Sequence, residues 1–389
     1  NETQQEIIRE APFRHYYLWR AVFKDGSQST PVRIVVDPSA TGLNLVLAKG
    51  VNMLTRIPEV LIQFRSHEHG WALDISKMYN QLSLRDSALP YSLFLYSEDL
   101  DEQTEPELFV MRSAWYGVAS TGNQANVAID RLWQEHHEEL PAAVGPLSVH
   151  RYMDDVESGS SSREKVEEQV LQVTECLRRG GFQAKFVAHS GEEPPDAATT
   201  DGVSIGALGI LWDTRYDLLG LAHKPMNLEK KIRGAKAPPK MDVTTPEGLQ
   251  EAFAAGLITR AGVLSRVAEY YDPAGWFEPV KVNMKLWLSA LNTLDWNDPV
   301  PAQYHETWVR LFSFIEDSRD VKLPRCIRPV GASGTARLLC LADAAEHAGG
   351  CAIYAGYKVA DGSYSCRLIY AKSRLMRHSI PRNELEAIL

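Results

Sequence analysis

The sequence predicts an α/β chain made of several packed units, and three observations lead to this fold class. Strand-like and helix-like segments alternate in the first half, residues 247–291 carry apolar side chains at helical spacing, and short strand patterns follow residue 336. The chain has 389 residues, of which 44% are hydrophobic and 23% charged. This length and composition are sufficient for two or three units that each bury a core.

The charge balance argues against a protein that coats nucleic acid by bulk electrostatics, because the net charge is −9 and the pI is about 5.7. One segment differs from the rest of the chain. Residues 223–240 contain six basic residues and a single acid, Glu229. This segment is either a track for a phosphate backbone or a solvated helix face.

Two absences suggest where the protein is found. The sequence has no run of about 18 apolar residues and no secretory signal pattern, which predicts an intracellular protein without a membrane segment. The five cysteines form no Cys-x-x-Cys pair, which predicts reduced, buried thiols.

One helix is clearly delimited by its sequence. Ser161 and Glu164 predict a capping box at its start, and Gly180 with Gly181 predicts its end. An apolar stripe predicts one buried face: Val166, Val170, Val173 and Leu177.

The second half is predicted from the same patterns. Helices are predicted at 247–255, 258–271 and 280–291, with a turn at 272–275. Strands are predicted at 338–342, 351–357 and 364–371, followed by a helix from Pro381.

Two strand-like segments carry acids where apolar residues are expected. Residues 71–75 form an apolar strand containing Asp74, and residues 149–156 predict a tight hairpin with Asp154 and Asp155 at its tip. Neighbouring carboxylates repel each other unless a cation neutralises them, although two exposed turn acids are the simpler alternative. Together the three acids predict a site for two Mg²⁺ ions, or Mn²⁺ in their place, about 4 Å apart, that catalyses phosphoryl transfer.

Further motifs accompany these acids in a fixed order. They are RIVVDPS at 33–39, DISKMY at 74–79, WYGVAS at 115–120, GGFQAK at 180–185, LGILWD at 208–213, YDPAGWFEPV at 271–280 and LPR at 323–325. With YMDD at 152–155, this series resembles the reverse transcriptase of a Pao/BEL-class LTR retrotransposon over nearly the whole chain.

The resemblance implies a polymerase right hand. Fingers and an α+β palm with an antiparallel sheet would occupy 1–222, a mainly helical thumb or connection 223–328, and the first part of a ribonuclease H-like domain 329–389. It also implies RNA- and DNA-templated DNA synthesis, with an RNA template, a DNA primer, an RNA–DNA hybrid and dNTPs as partners.

The resemblance also implies roles for individual residues in nucleotide binding. Arg33 would grip the incoming triphosphate, and Tyr79 would lie under the sugar and exclude ribonucleotides. Gly117 and Gln124 belong to the motif that contacts nucleotide and template. Lys185 would protonate the pyrophosphate leaving group.

The remaining implied contacts lie in two hairpins. Tyr152 and Met153 precede the paired acids and would contact the substrate. Leu208, Gly209 and Trp212 would grip the primer strand near its 3′ end.

The last segment resembles the opening of a ribonuclease H domain. Asp343 ends the first predicted strand and Glu384 lies in the first helix, as the first two catalytic acids of that family do. The family's other acids would follow Leu389, so we expect a piece of a longer polyprotein with protease and integrase domains. We also expect no ribonuclease H activity from these 389 residues.

Two other interpretations are open. A captured retroelement protein would keep the fold and bind nucleic acid or partners without synthesis, but it would be expected to lose the metal-binding acids, which are present. An RNA-dependent RNA polymerase would carry a small or acidic residue near the sugar, and Tyr79 counts against it. For a reverse transcriptase we expect a cytoplasmic virus-like particle, with the nucleus as the alternative location.

Overall fold

The structure is a computed structural model that describes residues 2–23, 32–98, 104–196, 198–199, 202–222 and 242–388. The basic segment predicted at 223–240 lies outside these residues. In chain order, the described strands are β1 (Trp19–Phe23), β2 (Val32–Val36), β3 (His69–Ile75), β4 (Leu93–Tyr96), β5 (Glu107–Val110), β6 (Arg151–Tyr152), β7 (Asp155–Ser160), β8 (Ala184–His189), β9 (Ser204–Ala207), β10 (Ile210–Asp213), β11 (Leu218–Leu221), β12 (Leu323–Pro324), β13 (Ser333–Ala344), β14 (Ala348–Lys358) and β15 (Tyr364–Leu375).

The helices of the same ranges follow the same numbering. They are α1 (Glu2–Glu10), α2 (Leu43–Val46), α3 (Ile57–Ser66), α4 (Thr121–His136), α5 (Pro141–Ser148), α6 (Arg163–Arg179), α7 (Pro246–Ala254), α8 (Arg260–Glu269), α9 (Glu278–Ser289), α10 (His305–Asp317) and α11 (Ile380–Ile388). Short 3₁₀ helices occur at Met78–Gln81, Asp86–Tyr91, Ala302–Tyr304 and Ser318–Asp320.

The chain divides into two compact units. Unit 1 comprises Asn1–Arg56, Trp71–Ala188 and Pro195–Ala198, and unit 2 comprises Ile57–Gly70, His189–Pro194 and Thr199–Leu389. Both units combine helices with antiparallel strand pairs, which confirms the predicted α/β class. The right-hand layout and the predicted domain limits at 222 and 328 stay predictions.

The central sheet of unit 1 has the strand order β6-β7-β3-β8. Leu73 and Ile75 of β3 are 1% and 0% exposed, and they share a core with Val156 of β7 and with apolar residues of α4, α5 and α6. Because side chains alternate along a strand, Asp74 of β3 and Asp155 of β7 project from the opposite face of the sheet. The packed face therefore fixes which face carries the acids. Unit 1 also contains the two-stranded sheets β1-β2 and β4-β5.

Helix α6 buries the predicted stripe but does not begin with the predicted capping box. The capping side chain is Ser162, whose hydroxyl accepts a hydrogen bond from the Lys165 amide at 3.4 Å. Ser162 has the extended backbone of a capping residue, with φ −143° and ψ 157°, so the box assigned to Ser161 and Glu164 is wrong. The end at the glycine pair and the stripe are confirmed, with these residues in or against the core: Val166, Val170, Val173 and Leu177.

Unit 2 contains a four-stranded sheet of order β12-β11-β10-β9 and a three-stranded sheet of order β13-β14-β15. Helices α7, α8 and α9 begin and end within a few residues of their predicted bounds. Helix α10 was not predicted, although Trp308, Phe312 and Ile315 form a buried stripe at helical spacing. The predicted turn before α9 is confirmed, because the Asp272 carboxylate accepts the Gly275 amide at 2.9 Å.

The three strands of the last sheet are longer than predicted. Two cysteines on this sheet are exposed, whereas buried thiols were predicted. All five thiols are free, but Cys340 and Cys366 are exposed. They lie on β13 and β15, the outer strands of this three-stranded sheet, where less of the surface is covered. The prediction of buried thiols is therefore wrong for these two residues.

In the part of the chain that the structure describes, no helix has both the length and the apolar character needed to cross a membrane.

Candidate active site

The hairpin of β6 and β7 presents two of the predicted acids, as the sequence indicated. Tyr152 pairs with Asp155, which leaves Met153 and Asp154 as a two-residue loop. Met153 has a φ of 57°, a left-handed conformation that residues other than glycine rarely adopt. Strained backbone of this kind is concentrated at functional sites.

The third predicted acid lies on the neighbouring strand. The Ile75 amide donates a hydrogen bond to the Asp154 carbonyl at 2.9 Å, which ties the end of β3 to the hairpin loop. Asp74, Asp154 and Asp155 are all half-buried. The structure therefore brings the three predicted metal-binding residues to adjoining strand ends.

Glu157 is a fourth acid of this region and was not among the predicted site residues. It lies two residues after Asp155 on β7, so both project from the same face of the sheet. Glu157 is 1% exposed, and its Oε2 atom has no hydrogen-bond partner among the described residues. Burial, and then the charges of Asp155, Asp154 and Asp74, raise the pKa of Glu157 well above its usual value. The four acids thus form one electrostatic group, which the spacing of Asp155 and Glu157 on a strand could have indicated.

The chemistry of this acid group fits a hard divalent cation, since carboxylate oxygens are the ligands that Mg²⁺ prefers. The side chains do not converge on one point. Across the described ranges, no three His, Cys, Asp or Glu side chains are placed to hold a metal ion. The predicted two-ion site therefore stays a prediction, and Asp74, Asp154 and Asp155 are the residues that would hold the ions.

Tyr79, the predicted sugar-contacting residue, lies beside the acids. Its hydroxyl and the Cε atom of Met153 both lie next to Gly122, so the hydroxyl is close to the hairpin. Burial, and then the charges of Asp154, Tyr116 and Tyr152, raise its pKa. The Tyr116 ring lies 4.8 Å from the Tyr79 ring, tilted by 54°. Tyr116 was not among the predicted site residues, although it stands within the quoted WYGVAS motif. The two rings together form an aromatic wall next to Asp154.

The predicted nucleotide-binding loop approaches β2 closely at Gly117 and is hydrogen-bonded to Asn44 of α2. A Cβ at Gly117 would lie 2.3 Å from the Val36 carbonyl oxygen, and φ is 107°, so only glycine fits this close approach. The Asn44 side chain donates to the Gly117 carbonyl at 2.9 Å and accepts from the Ala119 amide at 2.9 Å. The structure therefore brings the loop to the strand of Arg33, whose side chain lies outside the described part.

Two other predicted site residues make contacts that do not involve the acids. Gln124 donates to the Ser120 hydroxyl at 3.2 Å and lines an apolar cavity of about 320 Å³ together with Leu43. Lys185 is exposed on β8, with its Nζ 5.8 Å from the centroid of the Phe186 ring. Their roles in substrate binding and proton donation stay predictions.

In unit 2, the predicted primer-gripping hairpin is formed by β9 and β10, with Leu208 and Gly209 at the turn. Trp212 is 0% exposed, its Nε1 donates to Asp217 at 3.0 Å, and its ring meets Phe64 edge-on at 4.9 Å. Leu208 is buried as well. Because both side chains are in the core, contact with a nucleic acid at this hairpin would come from its backbone.

The two predicted ribonuclease H acids lie at different places in unit 2. Asp343, near the end of β13, is exposed and lines a cavity of about 420 Å³, to which Glu278 and Ser373 also contribute. Glu384 is exposed on α11 and does not line that cavity. Helix α11 is anchored by the buried Asn383, whose amide donates to two carbonyls of the β13–β14 turn at 3.0 and 3.3 Å.

Comparison with protein families gives a match in the C-terminal third of the chain. Residues 259–389 match the Pao retrotransposon-like RNaseH-like domain. The match begins just before α8, within the region that the sequence analysis predicted as thumb. No curated protein sequence matches the chain.

Solved structures with a similar fold cover almost the whole chain. The structure of a foamy viral protease-reverse transcriptase dRH in complex with double-stranded DNA has a TM-score of 0.55 at 13% identity, over 96% of this chain and 54% of that one. A foamy viral protease-reverse transcriptase in complex with dsDNA has a TM-score of 0.53 at 14% identity, over 95% and 63% of the two chains. The chain spans less than two thirds of the length of these structures.

The chain has an α/β fold with antiparallel sheets similar to that of a viral protease-reverse transcriptase, and one sheet face carries a group of acids. Its C-terminal third is similar to the Pao retrotransposon-like RNaseH-like domain.

Proposed function

We propose that the chain is the polymerase part of a Pao/BEL-class reverse transcriptase, which adds deoxynucleotides to a primer 3′ end on RNA or DNA templates. The observation that carries this proposal is the placement of Asp74, Asp154 and Asp155 at adjoining strand ends, with the Tyr79 hydroxyl and Met153 of the hairpin loop both next to Gly122. The similar solved structures are protease-reverse transcriptases in complex with double-stranded DNA, which supports a duplex as the partner. Protease and integrase domains in a parent polyprotein, and a cytoplasmic or nuclear location, are further parts of the proposal.

In this proposal the acids bind the metal ions and the two tyrosine rings select the sugar. Asp74, Asp154 and Asp155 would hold two Mg²⁺ ions, which supply charge neutralisation for the primer hydroxyl and the triphosphate when bound. The rings of Tyr79 and Tyr116 line one side of the space beside the acids. A 2′-hydroxyl on the incoming sugar would collide with the Tyr79 ring, which selects deoxynucleotides.

The residues around this space position the substrate. Arg33, on the strand that Gly117 approaches closely, would bind the triphosphate. Lys185 would donate a proton to the leaving pyrophosphate. The turn at Leu208 would hold the primer strand through its backbone.

Primer extension tests the proposal. The 389-residue chain is incubated with a DNA primer on a homopolymer RNA template, deoxynucleotides and Mg²⁺ or Mn²⁺. Extension that is lost in Asp154→Asn supports a polymerase. Duplex binding without extension would instead support the captured, non-catalytic protein.

We further propose that these 389 residues do not cleave RNA, because Asp343 and Glu384 do not share a cavity and two acids hold hard cations weakly. Incubation with a labelled RNA–DNA hybrid and Mn²⁺ should leave the RNA intact. Specific cleavage that disappears in Asp343→Asn would overturn this part of the proposal.

A further inference from the structure

Arg151 is a buried charged residue that has no task in the proposed chemistry. It is 6% exposed and lies in β6, directly before the hairpin loop. Its Nε donates to the Leu147 carbonyl at 3.1 Å, and its Nη2 donates to Asp130 at 3.2 Å. Its Nη1 donates to the Met153 carbonyl at 3.3 Å and to the Asn126 side chain. One guanidinium therefore joins the hairpin loop to two side chains of α4.

The two α4 partners are placed to act together. Asn126 and Asp130 are four residues apart, so they face the same side of the helix. Asn126 is 3% exposed, and its Nδ2 lies 3.8 Å from the Met153 sulfur. Trp133 Nε1 donates to Asp130 at 3.4 Å, which holds the carboxylate that faces Arg151.

The first turn of the same helix borders the candidate active site. A Cβ at Gly122 would lie 3.2 Å from Met153 Cε and 3.5 Å from the Tyr79 hydroxyl. A shift of α4 along or around its axis would therefore change the space between the hairpin loop and the Tyr79 ring. The Arg151 contacts are one turn or two further along the helix and oppose such a shift.

We propose that Arg151 is a positioning residue that fixes α4 against the hairpin loop and so sets the width of the nucleotide site between the acids, Met153 and Tyr79. The inference rests on the proposed polymerase function. A planar guanidinium holds five donors in a fixed fork and can serve four acceptors at once, whereas a lysine ammonium cannot match that geometry. Arg151→Lys keeps the charge opposite Asp130 and removes the fork.

The test compares Arg151→Lys with Arg131→Lys, a matched change at an exposed arginine of α4 that bonds only Glu135 among its described contacts. Primer extension is measured per active site, as kcat and KM for dNTP and as discrimination between dNTP and rNTP. For Arg151→Lys we expect KM to rise roughly tenfold to a hundredfold and ribonucleotide discrimination to weaken, because a small misplacement has a large effect on rate. Arg131→Lys should match the wild type.

The outcomes separate positioning from simple support of the fold. A merely structural residue would lower the fraction of active enzyme and leave KM and sugar discrimination unchanged, and that result would overturn the proposal. If Arg151→Lys does not fold, Asp130→Asn removes a single partner, and it should shift KM and discrimination in the same direction by a smaller factor. Unchanged values in Asp130→Asn would then count against the proposal.

A further measurement keeps this inference distinct from the proposed function. If the wild type does not extend primers, the polymerase proposal fails by itself. Hydrogen exchange of the Ile75 amide and the hairpin amides in Arg151→Lys and Arg131→Lys then tests the coupling. Faster exchange in Arg151→Lys alone supports the inference that Arg151 fixes the hairpin loop. Equal exchange rates in Arg151→Lys and Arg131→Lys would overturn it.

Discussion

Two buried ionisable residues, one in each unit, have opposite surroundings. In unit 2, Arg325 is 0% exposed, and its guanidinium donates to both oxygens of Asp217 at 2.7 and 2.9 Å and to the carbonyls of Phe64, His67 and Glu68. In unit 1, Glu157 is 1% exposed, and within the described residues its Oε2 has no partner. The charges that act on the Glu157 carboxyl have the same sign as its own.

This contrast separates a charge that supports the fold from one that weakens it. Arg325 joins α3 and the following turn to the Asp217 loop, and the buried Arg266 is likewise paired with Glu316. Burial and the neighbouring carboxylates both raise the pKa of Glu157, and perturbed ionisable groups of this kind are concentrated at functional sites.

The largest effect is expected at the acid group. Asp154→Asn should lower primer extension on the order of 10³-fold or more, because it removes a proposed metal ligand. It should leave the fold intact, since it also relieves repulsion. Extension rates and thermal unfolding are measured on the same preparation. Near wild-type extension would contradict the assignment of Asp154 as a metal ligand.

Removal of the paired guanidinium of Arg325 in unit 2 should instead lower the stability of the fold. Arg325→Met should lower the free energy of unfolding by about 3–5 kcal/mol, because it leaves Asp217 and several carbonyls without their partner. Arg328→Met, at an exposed arginine three residues away, should change it by less than about 1 kcal/mol. Urea unfolding measures both, and equal effects would contradict the role assigned to Arg325.

The aromatic wall allows a test of selectivity. Tyr79→Val should admit ribonucleotides and reduce discrimination against rNTP on the order of tenfold or more, since a smaller side chain removes the collision with the 2′-hydroxyl. Single-nucleotide incorporation measures the ratio. If the ratio does not change, Tyr79 serves only as a core residue.

The smallest effect is expected at Glu157 in metal-free buffer. The raised pKa means that the folded chain binds this proton more tightly than the unfolded chain does, so stability should fall as pH rises above the ordinary value of 4.5 towards the raised pKa. Glu157→Gln should remove this slope and increase stability at neutral pH by about 1–2 kcal/mol.

Thermal unfolding across that pH range in a chelator measures the effect. The control is Glu167→Gln on α6, where the carboxylate is 68% exposed, and it should keep the wild-type slope. A slope in Glu157→Gln equal to that of the wild type would show that the carboxyl is not part of the acid group.

Sequence reasoning succeeded where the signal is local. The stripe of α6 and the strand containing Asp74 were predicted because apolar periodicity states which face is buried. Helix α10 carried the same signal in Trp308 and Ile315 and could have been found. The cap at Ser162 was missed by one residue, since adjacent serines differ only in the backbone conformation that they adopt.

The features that could not be predicted from the sequence depend on partners that are distant in the chain. Strand β12 is two residues long and includes Pro324, so it exists only because β11 pairs with it. The burial of Trp212 follows from packing against Phe64, some 150 residues away, which no local pattern reports.

The sequence alone predicted the α/β class, the hairpin, and the position of three aspartates in or beside strands. These follow from side-chain alternation, turn chemistry and the cost of placing carboxylates in a strand. Only the tertiary structure decided that Glu157 is buried beside them with its Oε2 atom unpaired among the described residues, that the Tyr116 ring packs against Tyr79, and that Arg151 ties α4 to the loop. The physical reason is that hydrogen bonding and burial belong to pairs of residues in space. Arg151 reads in the sequence as an ordinary basic residue until its acceptors, which come from positions 126 to 153, surround it.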